Sequence, residues 1–213
     1  MPNADHYRGI ITRCFPQLQI DHIKYFDEGW GYHIYEVNGE LLFRFPQRPE
    51  LQPGLALEIR LLPELQKRVN LQVPNFQYVW RGASDIPDSF VGYEKIPGVR
   101  LTLQLLEQAD PKKISPEISK FISELHEFPV EIAANLGVPT FTPAQWRGEY
   151  ARVFAEIQEK AFPHLSRKEQ TWTTVLFSEY LEDEQNFRFA PVLIHADLNY
   201  ENILYSEETE NLT

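Results

Sequence analysis

Cysteine is almost absent from this sequence, and that scarcity removes whole classes of chemistry. Cys14 is the single cysteine among 213 residues, so no internal disulfide can form and no cysteine-based zinc site can be assembled. A reducing compartment fits. No apolar run approaches the roughly 20 residues needed to span a bilayer. The N-terminus MPNADHYRGIITRCF lacks the uninterrupted apolar stretch of a signal peptide, so the expectation is a cytoplasmic protein with no membrane partner. Positive charge is scarce as well: 20 Lys and Arg stand against 31 Asp and Glu, a formal charge of -11. That balance would repel phosphate backbones and argues against a nucleic-acid partner, whereas a cationic substrate would be attracted. Internal repeats, low-complexity tracts and Ser/Gly-rich linkers are missing, so any hinge between lobes is short.

What is present reads as an ordinary globular protein, 43% hydrophobic and 24% charged, with enough mass for one large domain or two small lobes. Residues 1 to about 98 mix strand and helix patterns, and those from about 99 to 190 read as almost purely helical. YHIYEVNGELLFRFP is the clearest hairpin, with Asn38-Gly39 tolerating positive φ between two strand-like runs. The two-residue period then puts Leu42 and Arg44 on one face and Leu41, Phe43 and Phe45 on the other. Leu55, Ile59, Leu62, Leu65 and Val69 recur as one helical face, with Glu58 at its edge and Pro63 predicting a kink or restart. NFQYVWRG and SFVGYEKIPG read as two more strands. Further helices are expected from an N-cap at Ser115, from Thr142-Pro143 burying Trp146, Tyr150, Val153 and Ile157, and from the Ser166/Glu169 capping box carrying Trp172, Leu176 and Tyr180.

LIHADLNYENILY, residues 193–205, carries the chemistry. His195, Asp197 and Asn202 form H-x-D-x-x-x-x-N, framed by apolar Leu198, Ile203 and Leu204. Phosphoryl transfer needs a carboxylate to accept a hydrogen bond from the attacking hydroxyl, and a carbonyl oxygen a few residues on to hold a magnesium ion bridging the phosphates. Asp197 suits the first role and Asn202 the second. A loop that merely satisfies its own backbone would not require the distant Asn. No further His/Asp cluster in the sequence supports a hydrolase metal site.

This stretch resembles the catalytic loop of the aminoglycoside phosphotransferase family, relatives of protein kinases. DEGWGYHIYEVNGELLFRFP, EIRLLPEL, FVGYEKIPG and FISELHEFPVE are similar, in order, to the N-lobe hairpin, lobe helix, hinge and first C-lobe helix of its 2″-phosphotransferase branch. The resemblance covers nearly the whole chain. It implies an α+β, two-lobed protein-kinase-like fold, with residues 1–96 as a nucleotide-binding lobe of antiparallel sheet plus helix and 97–213 as a mainly helical lobe carrying the catalytic loop.

The resemblance also implies an aminoglycoside O-phosphotransferase of the antibiotic-resistance type, with Mg2+ and ATP or GTP as phosphate donor, and a small cationic hydroxylated acceptor. In that pattern His195 and Asp197 are catalytic and Asn202 binds the metal. Gly29 and Gly31 form the turn over the phosphates, although Ile34 stands where kinases keep a third glycine. Arg44 takes the place of the strand lysine and Glu58 that of the glutamate bracing it. Tyr93 lies beside the purine, and the backbone of Glu94 and Ile96 contacts the base. A kinase of another small alcohol or metabolite is the alternative. Members of the family continue past this loop into Ile-Asp-Phe-Gly, whose aspartate chelates magnesium. Here the chain reads SEETENLT and stops, which leads us to expect a truncated member, with little turnover of its own or a purely nucleotide-binding role.

Overall fold

The Asn38-Gly39 turn sets the register of the amino-terminal sheet. Both residues have positive φ, +56° and +79°, and they join strand β2 (Tyr32–Val37) to β3 (Leu41–Pro46). Tyr35 lies opposite Phe43, and Ile34 opposite Arg44. A computed structural model describes residues 3–29, 31–83 and 85–213. In it β1 (Ile23–Gly29), β4 (Phe76–Trp80) and β5 (Phe90–Glu94) complete a five-stranded antiparallel sheet in the order β1-β2-β3-β5-β4. Helix α1 (Ala4–Cys14) is capped by Asn3 and sends Ile11 into the core on one face of that sheet. There it meets Phe15, Tyr35, Val37, Phe43, Phe45 and Phe90. Helix α2 (Gln52–Leu65) packs Leu55 and Ile59 with Val91 on the other face.

The chain divides into two compact units, Met1–Gly137 with Leu193–Thr213, and Val138–Val192. The first unit adds α3 (Leu103–Gln108), α4 (Pro111–His126), α5 (Val130–Leu136) and a small sheet of β6 (Val99–Arg100), β7 (Leu204–Ser206) and β8 (Asn211–Leu212), in that order. The second contains α6 (Pro143–Lys160) and α7 (Arg167–Glu182). Both of its helices start with full capping boxes, Thr142/Gln145 and Ser166/Glu169, and they meet through Phe154 stacked on Phe177 at 4.8 Å. Among the described residues no helix is long and apolar enough to cross a membrane.

Several expected boundaries are corrected. Helix α2 runs through Pro63 and ends two residues later, so the lost backbone bond falls where the helix is ending anyway; Val69 lies outside it. Helix α4 starts at the Asp110 N-cap with Pro111 first, not at Ser115, and Pro116 sits inside it. The carbonyl that Pro116 cannot pair belongs to Lys112, which is exposed to water. None of the four residues expected to be buried by α6 is fully buried, and Val153 is exposed. On α7 Thr173 is the buried residue, while Trp172 is 67% exposed.

Candidate active site

The face of the sheet under α2 carries charge. Arg44 projects from β3 on that face and meets Glu58 of α2 as a fork, Nη1 to Oε2 at 2.9 Å and Nη2 to Oε1 at 3.4 Å. Two-point contact fixes the guanidinium plane as well as its position. The guanidinium also lies over the Tyr32 ring, 4.4 Å from its centroid. Burial works against the Arg44 charge, but Glu58, Tyr93 and Tyr32 together outweigh it and hold the pKa above its ordinary value. Burial raises the Tyr93 hydroxyl, with Arg44 opposing. Arg44 is therefore a permanent cation, its side chain only 16% exposed against 35% for Glu58.

The turn between β1 and β2 demands glycine at position 31. Gly31 has φ +77°, and a Cβ there would come within 2.5 Å of Leu51 Cδ1. Its carbonyl accepts a hydrogen bond from Gln47 N at 2.8 Å. Gly29 closes the ladder opposite Tyr32. Trp30, within the same turn, lies outside the described residues. Ile34, which stands in place of a third glycine, lines the cavity beneath.

The loop from 193 to 203 is pinned at both ends. Leu193 is buried; Ile203 joins a core with Leu101, Ile114, Tyr205 and Leu212, and its carbonyl accepts from Leu101 N at 2.9 Å. Between these anchors Asp197 and Asn202 come together. Asn202 Nδ2 donates to the Asp197 carbonyl at 2.8 Å and to its carboxylate Oδ2 at 3.2 Å. Asn199 Nδ2 donates to Oδ1 at 3.3 Å, so both carboxylate oxygens are oriented. Ala196, beside Asp197, adopts φ +66°, a left-handed conformation costly for a residue with a Cβ and retained here at the turn that presents the carboxylate. His195 is exposed and lines the same cavity as Asn202.

This loop fits a magnesium ion. Both partners of Asn202 Nδ2 are acceptors, so the amide nitrogen must face them and Oδ1 is turned outward. That leaves one amide oxygen beside one carboxylate, the hard oxygen donors Mg2+ takes. Among the described residues no cluster of three or more His, Cys, Asp or Glu could hold a metal, so an ion here would complete its shell with water and phosphate oxygens.

A cavity of about 710 Å3 separates the sheet from this loop. Leu42, Tyr93 and Ile96 line it from the sheet side, and His195, Leu198 and Asn202 from the loop side. Asp197 is not itself a lining residue but is tied to Asn202, which is. The Glu94 side chain is exposed and borders a different groove, beside Asn38 and Leu41. Its backbone continues the β3–β5 ladder opposite Leu41.

Residues 22–213 match the model of the phosphotransferase enzyme family. The chain belongs to that family. Two solved structures resemble it closely. One is the GDP and kanamycin complex of APH(2″)-IIIa, 30% identical over 98% of this chain and 70% of that one, TM-score 0.88. The other is the GDP complex of wild-type aminoglycoside 2′-phosphotransferase-IIIa, 29% identical over 99% and 71%, TM-score 0.90. These are aminoglycoside kinases, and the sheet and helices described above share their α+β, protein-kinase-like fold. A macrolide 2′-phosphotransferase, MphH from Brachybacterium faecium, has the same fold at 20% identity, covering 98% of this chain and 69% of that one, TM-score 0.73.

In this phosphotransferase the cavity wall includes residues that the sequence reading did not single out. Phe26 lines it by ordinary alternation from Lys24, and a bulge between Tyr25 and Asp27 brings Asp27 onto the same face. Asp27 and Arg100, both lining residues, form an ion pair. Lys95 lines it too and reaches Glu36 of β2. These contacts join residues far apart in sequence, and no local pattern announces them.

Proposed function

We propose that this chain moves the γ-phosphate of ATP or GTP to a hydroxyl of an aminoglycoside-like acceptor in the cytoplasm. Its membership of the phosphotransferase family supports the reaction class. The observation that carries the assignment of roles is the Asp197–Asn202 pair, whose oxygens are oriented beside a cavity that also holds Arg44's neighbour Tyr93. In this reading residues 1–96 form the nucleotide lobe and 97–213 the mainly helical lobe that carries the catalytic loop.

The purine lies against Tyr93, with the backbone of Glu94 and Ile96 making base contacts. Gly29 and Gly31 let the turn approach the phosphates, and Arg44, held by Glu58, adds a fixed positive charge to them. Asp197 accepts a hydrogen bond from the attacking hydroxyl and orients it in line with the γ-phosphorus. His195, on the cavity wall, is the loop's second catalytic residue. Asn202 Oδ1 would hold Mg2+, which neutralises charge on the phosphates when bound. The excess of acidic residues, giving -11 overall, favours a polycationic acceptor.

The test is transfer of labelled γ-phosphate from ATP and from GTP to kanamycin, gentamicin and a panel of other small alcohols. Labelled aminoglycoside is expected, and Asp197→Asn should lower kcat by about 1,000-fold with the nucleotide KM nearly unchanged. Label on another alcohol alone would move the assignment to a kinase of that compound. Nucleotide binding without any transfer would favour a nucleotide-binding role, a reading supported by the single carboxylate beside Asn202. An Asp197→Asn protein as fast as wild type would overturn the assigned mechanism.

A further inference from the structure

Glu36 is the only charged side chain among the described residues that belongs to the buried set. It sits on the cavity face of β2, opposite Leu42 of β3 and Lys24 of β1. A carboxylate on such an apolar floor is unfavourable unless each oxygen is paired. Here Lys24 Nζ lies 2.7 Å from Oε1, and Lys95 Nζ lies 2.9 Å from Oε2. An apolar residue would stabilise this position as well or better, so the cluster calls for a role other than stability.

The two lysines differ in what else they touch. Lys24 is 63% exposed and does not line the cavity. Lys95 does line it, between Glu94 and Ile96 in the chain, and its Nζ lies 4.9 Å from the centroid of the Phe26 ring. Its backbone N donates to the Glu40 carbonyl at 2.7 Å, so Lys95 is fastened at both ends. Phe26 lies two residues after Lys24 on the same face of β1, and so reaches this ammonium. One buried carboxylate thus holds, through one lysine, both the strand exit at 94–96 and the aromatic wall facing it.

We propose that Glu36 is a positioning residue for the purine base: through Lys95 it fixes the 94–96 backbone and sets Phe26 as the opposing wall of the base slot. This rests on reading the cavity as the nucleotide site. Calorimetric titration of GTP and ATP, with magnesium chloride, into wild type and variants tests it. Glu36→Gln and Lys95→Met should each weaken nucleotide binding by about tenfold. Steady-state kinetics on the same proteins should raise the nucleotide KM and leave the acceptor KM in place. Lys95→Arg, which keeps the ion pair, should stay within about threefold of wild type. Lys24→Met removes an equal charge from the same carboxylate but from outside the cavity, and should change affinity by less than about twofold.

Lys95→Met leaves Glu36 paired with Lys24, so it supplies the answer if Glu36→Gln does not fold. Wild-type affinity in Lys95→Met, or an equal loss in Lys24→Met, would overturn the positioning role while the nucleotide site stands. A wild-type chain that binds neither nucleotide would overturn both.

Discussion

The two faces of the amino-terminal sheet are built from alternate residues of the same strands, yet they have different uses. One face is sealed and aromatic: Tyr35, Phe43 and Phe90 are almost fully buried, and Phe45 stacks on Phe90 at 4.5 Å. The other carries Glu36, Leu42, Arg44 and Tyr93 toward α2 and the cavity. Within β3, Phe43 and Phe45 belong to the first face and Leu42 and Arg44 to the second. A single strand therefore contributes stability through its odd positions and chemistry through its even ones. Mutations one residue apart should separate the two.

The largest effect is expected on the sealed face. Phe43 is fully buried, and Phe43→Ala should cost about 3–5 kcal/mol of stability, read as a fall in the denaturant midpoint. Gly92 exists to admit this ring, since a Cβ there would come within 2.5 Å of Phe43 Cε1. Gly92→Ala should thus be destabilising alone and markedly less so in the Phe43→Ala background, a non-additivity expected only if the two share one space. Additive losses would show that Gly92 serves some other end.

One residue along, the order of effects reverses. Arg44→Met removes the guanidinium but leaves Glu58, whose side chain is 35% exposed, able to draw on water. Stability should fall by no more than about 1 kcal/mol, whereas phosphate transfer at saturating acceptor should drop by about 100-fold. If the melting temperature collapsed and the transfer rate of the surviving folded protein did not, Arg44 would be a structural residue and the division between the faces would fail.

This division was legible in the sequence because strand alternation is local. The Asn38-Gly39 turn fixed the register, and a period of two then placed Arg44 away from Phe43 and Phe45. The spacing of Asp197 and Asn202 was legible for the same reason, since five residues of one loop suffice to bring their side chains within bonding distance. Helical periodicity gave less. It names an apolar stripe but not which flank meets a neighbour, so Trp172 and Val153 are exposed while Phe154 and Phe177 form the contact. Pro116 marked a false start because Asp110-Pro111 offers the same cap-and-proline signal five residues earlier. Glu36 with Lys95, and Asp27 with Arg100, bridge long sequence separations. Only the folded arrangement of strands brings them together.

The smallest effect tests how dry the sealed face is. Tyr35 lies in it with a buried hydroxyl that finds no hydrogen-bond partner among the described residues. Its ring stacks on Tyr7 at 4.4 Å and meets Tyr25 edge-on at 5.6 Å. Burial, reinforced by Tyr7 and Tyr25, pushes the hydroxyl pKa up to about 12. Tyr35→Phe keeps the ring contacts and discards a desolvated polar group, so stability at neutral pH should be unchanged or rise by up to about 1 kcal/mol. The alkaline limb gives the sharper reading. An unfolded tyrosine ionises near pH 10, and the folded one resists until about 12. The folded state thus holds its proton longer, and the resulting stabilisation is intact below pH 10 and lost as pH rises toward 12. Chemical denaturation across that window should show a shallower decline for Tyr35→Phe than for wild type. Equal slopes would mean that water reaches the hydroxyl, and that the aromatic face is less sealed than its packing indicates.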